Sequence, residues 1–146
     1  MFKDIKVKDW MTHPVISIPL DTSVSTAQHQ MREMHIRHLP IVDHHRLVGI
    51  LSLGDLREAS PSDATALSIW ELNYLWEQLT VEKIMTRKVI TVRPNDLITD
   101  VLRMMIDHKF SALPVVDEDR ILVGILTETD IFRMVIGLSE HVTSPI

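Results

Sequence analysis

The chain contains Leu39-Pro40-Ile41-Val42-Asp43 and, 74 residues later, Leu113-Pro114-Val115-Val116-Asp117. After a polar turn, each copy continues into a second related stretch. These stretches are Leu47-Val48-Gly49-Ile50-Leu51-Ser52-Leu53-Gly54-Asp55 and Leu122-Val123-Gly124-Ile125-Leu126-Thr127-Glu128-Thr129-Asp130. An internal repeat of this kind decides the architecture before any local prediction does. We therefore expect two similar units that pack on each other, each with its own version of any site that the other carries.

The repeat extends upstream as well. Val7-Lys8-Asp9-Trp10-Met11-Thr12 corresponds to Val81-Glu82-Lys83-Ile84-Met85-Thr86, and Pro follows Met by 29 positions in both copies. β-Branched runs, helical spacing and turn residues predict strand–helix–strand–strand–helix in each copy. The predicted elements are a strand at 15–18, a helix capped by Asp21 or Thr22, strands at 39–42 and 47–51, and a helix from 52–55; then a strand at 89–92, a helix from Asn95 or Asp96 to about 107, strands at 113–116 and 121–126, and a helix at about 128–136.

The length of the chain limits how many separately folding domains it can form. Each copy holds about 50 residues, which is marginal for a separate fold because too little surface is buried. We divide the 146 residues into repeat 1 (6–57), a linker with a bridging helix (58–79), repeat 2 (80–136) and a C-terminal tail (137–146). Residues 60–65 have the composition of a loop.

Charge, cysteine content and hydropathy exclude several classes of protein. The net charge is −5 with Lys and Arg spread along the chain, so nucleic-acid binding is not expected. With no cysteine, disulfides and thiolate metal sites are excluded. No apolar run approaches the length of about 20 residues that a membrane span needs. The first residues lack a signal peptide pattern, so a cytoplasmic protein without membrane partners is expected.

The bridging segment at 67–79 has the apolar spacing of an amphipathic helix and holds Trp70 and Trp76. Two interpretations are open. The helix packs against the repeats, or it forms a dimer surface, because aromatic residues are enriched in interface cores.

Taken together, the motifs resemble a tandem CBS-domain pair, also called a Bateman module. The resemblance rests on Met-Thr, Leu-Pro-[Ile/Val]-Val-Asp and Gly-Ile-Leu-[Ser/Thr]-x-x-Asp, which recur in order at matched spacing. The bridging helix is also similar to that of acetoin-utilisation-type CBS proteins, which often carry a C-terminal ACT domain. This chain ends at Ile146, so an ACT domain is not expected.

The resemblance implies an α/β (α+β) fold of two β-α-β-β-α repeats, packed through their sheets with pseudo-two-fold symmetry. It also implies two clefts that bind adenosyl compounds, and dimerisation of CBS pairs into a homodimer. The expected ligand is AMP, ADP or ATP, with S-adenosylmethionine less favoured, and no cofactor is required.

The motif that ends each repeat is the main candidate site. Thr127 lies where a strand becomes a helix, so its hydroxyl and the first free amides can meet a phosphate, and Asp130 can accept both ribose hydroxyls. Ser52 and Asp55 form the same pair in the first copy. The alternative is a helix cap, because Ser or Thr followed three residues later by an acidic residue also matches a capping pattern.

Basic residues before Leu-Pro form a second candidate element. In CBS proteins that bind phosphorylated adenosine, side chains here reach the phosphates. The matching residues are His108 and Lys109 in the second copy and His35, Arg37 and His38 in the first. Alternatively, they are solvated cations at helix C-termini, where positive charge is favoured.

The resemblance also suggests groups that contact the base. Val15-Ile16 and Val89-Ile90 are candidates to offer backbone groups to the adenine edge, or else are core strand residues. Thr12 and Thr86 match a position near the ligand, or else cap local turns. The eight histidines lack the carboxylate partners of a typical metal site, and no metal is expected.

The function that follows is a regulatory module that senses adenine nucleotides and signals through its conformation or assembly to an effector protein that the sequence does not name. The alternative is an interaction scaffold whose clefts no longer bind. An enzyme is not expected, because no nucleophile–base pair and no Walker-type loop is present. Because the basic residues differ between the copies, we expect two sites of unequal affinity, with the Lys109/Asp130 site the tighter.

Overall fold

The computed structural model describes residues 2–60 and 68–143. In chain order its elements are α1 (Val7–Trp10), β1 (Ile18–Pro19), α2 (Val24–Glu33), β2 (His38–Asp43), β3 (Arg46–Ser52), α3 (Leu53–Ala59), α4 (Ile69–Gln78), a 3-10 turn (Val81–Lys83), α5 (Ile98–His108), β4 (Ala112–Val116), β5 (Leu122–Thr127) and α6 (Glu128–Thr143). The predicted mixed α/β class is confirmed. Most of the predicted loop at 60–65 lies outside the described residues.

The chain forms two compact units, and each unit takes a segment from both repeats. Unit 1 consists of Met1–Val15 and Ile90–Ile146, and unit 2 is Ile16–Val89. The Met-Thr segment of the first repeat therefore folds with the body of the second repeat. The Met-Thr segment of the second repeat folds with the body of the first.

Unit 2 is built on a three-stranded sheet in the order β1-β2-β3. The β2–β3 hairpin is antiparallel, with His38 paired to Ser52 and Asp43 paired to Arg46. β1 runs parallel to β2 through only two residue pairs. The first strand predicted at 15–18 is thus wrong in extent, because only Ile18 of that run pairs with the sheet.

Unit 1 contains the equivalent antiparallel hairpin, β4–β5, in which Ala112 pairs with Thr127. The strand predicted at 89–92 is reduced to a single parallel bridge between Val92 and Val115. Pro94 follows two residues later and has no backbone N–H to extend the ladder. Each unit otherwise repeats the β-α-β-β-α pattern.

Each unit has its own apolar core. In unit 2, Leu39, Ile41 and Leu51 of the hairpin are fully buried against α2. In unit 1, Leu113, Val115 and Leu126 are buried with Met134 of α6. Alternate residues of a strand point to the same face of a sheet. These residues therefore lie on the face of each hairpin that packs against the helices.

Two helix starts differ from the sequence prediction. The N-cap of α2 is Ser23, whose hydroxyl accepts from Thr26 N, and not Asp21 or Thr22. Helix α5 begins at Ile98, after Leu97, and not at Asn95 or Asp96. Asp96 instead accepts a hydrogen bond from the Arg93 backbone N–H at 2.8 Å, so its carboxylate closes the preceding turn.

The bridging helix α4 has two different faces. Trp76 is buried, and Leu72 and Leu79 pack beside it against the unit 2 core. The opposite face exposes Trp70 and Tyr74, with 80% of the Trp70 surface accessible, and Ile69 and Leu75 are exposed at the borders of the buried face. The helix therefore packs against the body of the first repeat, which agrees with one of the two interpretations, and still leaves an aromatic face uncovered in the described part of the chain. Among the described residues, no helix is long and apolar enough to cross a bilayer.

In the last strand of each unit, a methionine side chain packs directly against a glycine. A Cβ on Gly49 would collide with the Met85 side chain, and a Cβ on Gly124 would lie 2.6 Å from Met11 Sδ and 3.1 Å from the Thr12 carbonyl oxygen. Only glycine leaves room for this approach. The Gly of Gly-Ile-Leu is therefore the contact point for the Met of Met-Thr.

Replacing these glycines tests that packing. We expect Gly49→Ala and Gly124→Ala to lower the free energy of unfolding by about 1–3 kcal/mol. Gly124→Ala should be the more costly, because the Thr12 carbonyl is held by the Ile125 N–H at 3.1 Å while the end of Met85 can rotate away. Urea unfolding measures both. Gly54→Ala is the control, since its nearest neighbour would be Ser52 Oγ at 3.4 Å; equal losses in all three variants would contradict a special role for the methionine contacts.

Candidate functional site

Asp130 is the centre of the candidate site in unit 1. It lies in the first turn of α6 and is 3% exposed, the only buried charged side chain in the described part of the chain. Its Oδ2 accepts from the backbone N–H of Thr127 at 2.9 Å and from the Thr127 hydroxyl at 3.1 Å. These hydrogen bonds satisfy a donor at the start of α6, so the capping geometry foreseen as an alternative is present.

The second carboxylate oxygen of Asp130 points to a different segment of the chain. Thr12 Oγ1 donates to Asp130 Oδ1 at 2.7 Å across a separation of 118 residues. This hydrogen bond joins two side chains and satisfies no backbone group of α6, so it has no role in capping that helix. It brings the Met-Thr motif of one repeat onto the Thr-x-x-Asp motif of the other.

The position of Thr12 is fixed by its backbone pairing with β5 and by the neighbouring methionine contact. Thr12 N–H donates to the Ile125 carbonyl at 2.8 Å, and Ile125 N–H donates back at 3.1 Å. Met11 packs against Gly124 immediately beside this bridge. The Gly124-Ile125 segment of β5 thus positions the threonine that meets Asp130.

Arg133 is a contact that the sequence analysis missed. Its Nη1 lies 3.4 Å from Asp130 Oδ1, one helical turn further along α6. The Arg133 side chain is 66% exposed, so the ion pair is screened by solvent and adds little to stability. The i,i+3 spacing of Asp130 and Arg133 on a predicted helix could have indicated this contact.

Unit 2 repeats the arrangement with Ser52, Asp55 and Thr86. Ser52 N–H donates to Asp55 Oδ2 at 2.8 Å, and Asp55 N–H donates to Ser52 Oγ at 3.1 Å. Thr86 Oγ1 donates to Asp55 Oδ1 at 3.2 Å, and Thr86 is bridged to Ile50 as Thr12 is to Ile125.

The two carboxylates differ in their surroundings. Asp55 is only partly buried, and the residue three positions on is Glu58, where α6 has Arg133. The hydroxyl-to-carboxylate distance is also longer, 3.2 Å against 2.7 Å. The unit 1 carboxylate is therefore the more tightly held.

The basic residues before each hairpin end a helix in the same way. Lys109 and His35 both have left-handed backbones, with φ of 58° and 54°, and the residue after each donates back into the last helical turn. His108 stacks on Phe110 with ring centroids 5.4 Å apart. Both Lys109 and His35 are exposed.

The end of each basic segment is joined to the start of the following helix. The Glu128 N–H donates to the Ser111 carbonyl at 3.1 Å, and the Leu53 N–H donates to the Arg37 carbonyl at 3.2 Å. His38 pairs directly with Ser52 in the hairpin register. The positive charge therefore lies at the same end of each hairpin as the Ser/Thr-x-x-Asp motif.

The first-strand candidates divide between the units. Val15 and Ile90 fall in unit 1, whereas Ile16 and Val89 fall in unit 2. Ile16 packs against the unit 2 core, and Ile90 is 41% exposed. Within the described ranges, no group of three His, Asp or Glu side chains is arranged to hold a metal ion.

A sequence model of one family matches both repeats. The CBS domain model matches residues 7–62 and 81–137, which is more than half of the chain. The chain belongs to the CBS domain family. The tandem arrangement predicted from the repeated motifs is thereby confirmed.

Solved structures of CBS domain pairs agree with this assignment. The acetoin utilization protein AcuB of Vibrio cholerae superposes with a TM-score of 0.81 at 32% identity, covering 97% of this chain and 98% of that one. The CBS domain pair of MJ0100, in complex with 5′-methylthioadenosine and S-adenosyl-L-methionine, gives 0.74 at 34% identity, with 92% and 98% covered. CBSX2 in complex with AMP gives 0.76 at 30% identity, also with 92% and 98% covered.

Curated relatives are longer than this chain. It is 35% identical over 129 residues to L-aspartate semialdehyde sulfurtransferase of Methanocaldococcus jannaschii, and the match spans 88% of this chain but 23% of that enzyme. The CBS domain chain thus spans about a quarter of the length of such a relative. The enzyme names belong to those longer proteins.

Proposed function

We propose that this CBS pair is a regulatory module that binds an adenosyl ligand, with one site in each unit. The observation that carries the proposal is Asp130, a buried carboxylate whose Oδ1 accepts from the distant Thr12 hydroxyl. A helix cap needs only Oδ2, so the Thr12 contact gives the carboxylate a second role. The adenosyl complexes of MJ0100 and CBSX2 support the same ligand class.

In this proposal Asp130 and Asp55 accept the vicinal ribose hydroxyls. A carboxylate oxygen has more than one lone-pair direction, so a diol can bind at Oδ1 as the threonine hydroxyl turns aside. Lys109 and His108 serve a phosphate in unit 1, and His38, Arg37 and His35 do so in unit 2. Thr127 and Ser52 donate their hydroxyls nearby, and Val15, Ile90, Ile16 and Val89 offer backbone groups to the base.

The basic residues favour a phosphorylated ligand, AMP, ADP or ATP, over S-adenosylmethionine. Ligand binding changes an output only if two states of the protein differ in affinity for it. We propose that the output is conformational or is passed to an effector protein, that the chain has no catalytic role, and that it works in the cytoplasm.

A direct binding measurement tests this function. In isothermal titration calorimetry with AMP, ADP, ATP and S-adenosylmethionine, we expect at least one ligand to bind with a Kd below a millimolar. Two unequal sites are expected, the tighter one in unit 1, because Lys109 and the buried carboxylate of Asp130 lie there. GMP is the control for base recognition. Absence of binding by all four adenosyl compounds would refute the proposal.

The second candidate function is an interaction scaffold, and the exposed face of α4 favours it. Ile69, Trp70 and Tyr74 are 63–80% exposed, and large apolar groups in such a cluster mark association surfaces. A homodimer formed through this face is compatible with ligand binding. Failure of the titrations together with a dimer in sedimentation would favour the scaffold.

A further inference from the structure

Unit 2 contains a cavity that lies away from the Ser52–Asp55–Thr86 cluster. Its volume is about 570 Å³, within the range of small-molecule sites. The cavity is open to solvent on one side and is bordered by the C-terminal half of α2, the segment 35–37 that follows it, α3 and one residue of α4. The lining residues are Gln28, Met31, Arg32, His35, Ile36, Arg37, Leu53, Leu56, Arg57, Ser60 and Trp76.

Helix geometry separates this cavity from Asp55. Four residues of α3 and its C-cap line the cavity. They are spaced i, i+3, i+4 and i+7 and therefore share one face of the helix: Leu53, Leu56, Arg57 and Ser60. At about 100° per residue, Asp55 projects roughly 150° away from the centre of that face. The cavity and the carboxylate site therefore lie on different sides of the same helix.

The cavity combines an apolar floor with positive charge. Met31, Leu56 and Trp76 are at most 7% exposed. Arg32, Arg37 and Arg57 line the cavity, and no acidic side chain is among its described lining residues. Within the described ranges, none of these three guanidinium groups takes part in an ion pair.

The internal repeat shows that this charge is specific to one copy. The residues of the second repeat at the positions of Arg32, Arg37 and Arg57 are Ile106, Ser111 and Phe132. The β-α-β-β-α fold itself thus requires no arginine at any of the three positions. Three like charges around one cavity also repel each other, and an anion would relieve that repulsion.

We propose that this cavity binds an amphiphilic organic anion, with its apolar ring or chain against Met31, Leu56 and Trp76. The phosphate, carboxylate or sulfonate of the ligand lies among the guanidinium groups, whose planar donors match such oxygens in pairs. This site is distinct from the Asp55 carboxylate, although His35 and Arg37 also belong to the proposed phosphate region of the unit 2 adenosyl site; Arg32 and Arg57 belong to this cavity alone. Unit 2 would thus bind a second ligand, whereas the equivalent positions of unit 1 carry no arginine.

Titration with 8-anilinonaphthalene-1-sulfonate, an aromatic sulfonate, tests the site in the full chain. We expect saturable fluorescence with one dye per chain. The double variant Arg32→Gln/Arg57→Gln should raise the dye Kd at least tenfold, because both guanidinium groups are removed and the apolar floor is kept. His35 and Arg37 are left unchanged because they also belong to the adenosyl proposal.

Matched variants distinguish binding in this cavity from binding at the adenosyl site or at other surface arginines. Arg103→Gln removes an exposed arginine of α5 and should leave dye binding unchanged, as should Asp55→Asn. The thermal unfolding midpoint of each variant shows whether it is folded. An unchanged Kd in a folded double variant would overturn the proposal and leave the arginines as helix-end charges. Loss of dye binding in Asp55→Asn would also overturn it, because the cavity would then be part of the adenosyl site.

Discussion

Replacing Asp130 by alanine is expected to abolish adenosyl binding at the unit 1 site, with a loss of affinity of about a hundredfold or more. Two charge-assisted hydrogen bonds to a ribose diol contribute about 1.5–3 kcal/mol each when one partner is ionised. The same change leaves the Thr127 N–H and the Thr12 hydroxyl without their acceptor. Calorimetry on the variant should show one set of sites where the wild type shows two.

A milder variant keeps this result interpretable if alanine also weakens folding. Asp130→Asn preserves the shape and one acceptor oxygen but removes the charge, and we expect at least a tenfold loss of affinity at the same site. Glu128→Gln is the control, since it removes an exposed charge from the same helical turn without touching the Asp130 carboxylate. Wild-type affinity in a folded Asp130→Asn variant would show that Asp130 is a helix cap only.

Replacing Leu113 by alanine is expected to lower the free energy of unfolding by about 2–5 kcal/mol. Leu113 is 1% exposed and lies in the unit 1 core with Val115, Leu126 and Met134. The loss combines the transfer free energy of the deleted methyl groups with the cavity that they leave. Urea unfolding followed by circular dichroism gives the change directly.

The control for this variant is Ile106→Ala on α5 of the same unit. Ile106 is 76% exposed, so little packing is lost, and alanine has the higher helix propensity. We therefore expect a change within about 0.5 kcal/mol of zero. A Leu113→Ala loss no larger than that of Ile106→Ala would contradict the assignment of the core.

The two hairpins were predictable because their signals are local. Apolar runs at 39–42 and 47–51 flank a polar turn, and the second copy repeats them at 113–116 and 121–126. The first strands were predicted too long, because Val15 and Val89 have strand-forming side chains but no partner strand. Propensity describes a residue, whereas a strand also requires a hydrogen-bonded neighbour.

The candidate site was predictable only in part for a similar reason. The Thr127–Asp130 and Ser52–Asp55 pairs are local capping patterns, and both are present. Which threonine completes which site was not predictable. Met11 fits against Gly124 and Met85 against Gly49, yet the repeats are so alike that the opposite pairing satisfies the same chemistry. Only the three-dimensional contacts distinguish the two pairings.

The division of the chain into one continuous and one interrupted unit has a consequence for biosynthesis. Unit 2 is a single run from Ile16 to Val89, whereas unit 1 joins Met1–Val15 to residues that begin at Ile90. Because domains fold as they leave the ribosome, unit 2 has all its residues available while the partners of Thr12 are still untranslated. Residues 1–15 emerge before unit 2 but reach their partners only after the second part of unit 1 has been made. A nascent-chain chaperone or a protease would therefore meet this segment before the rest of unit 1 exists.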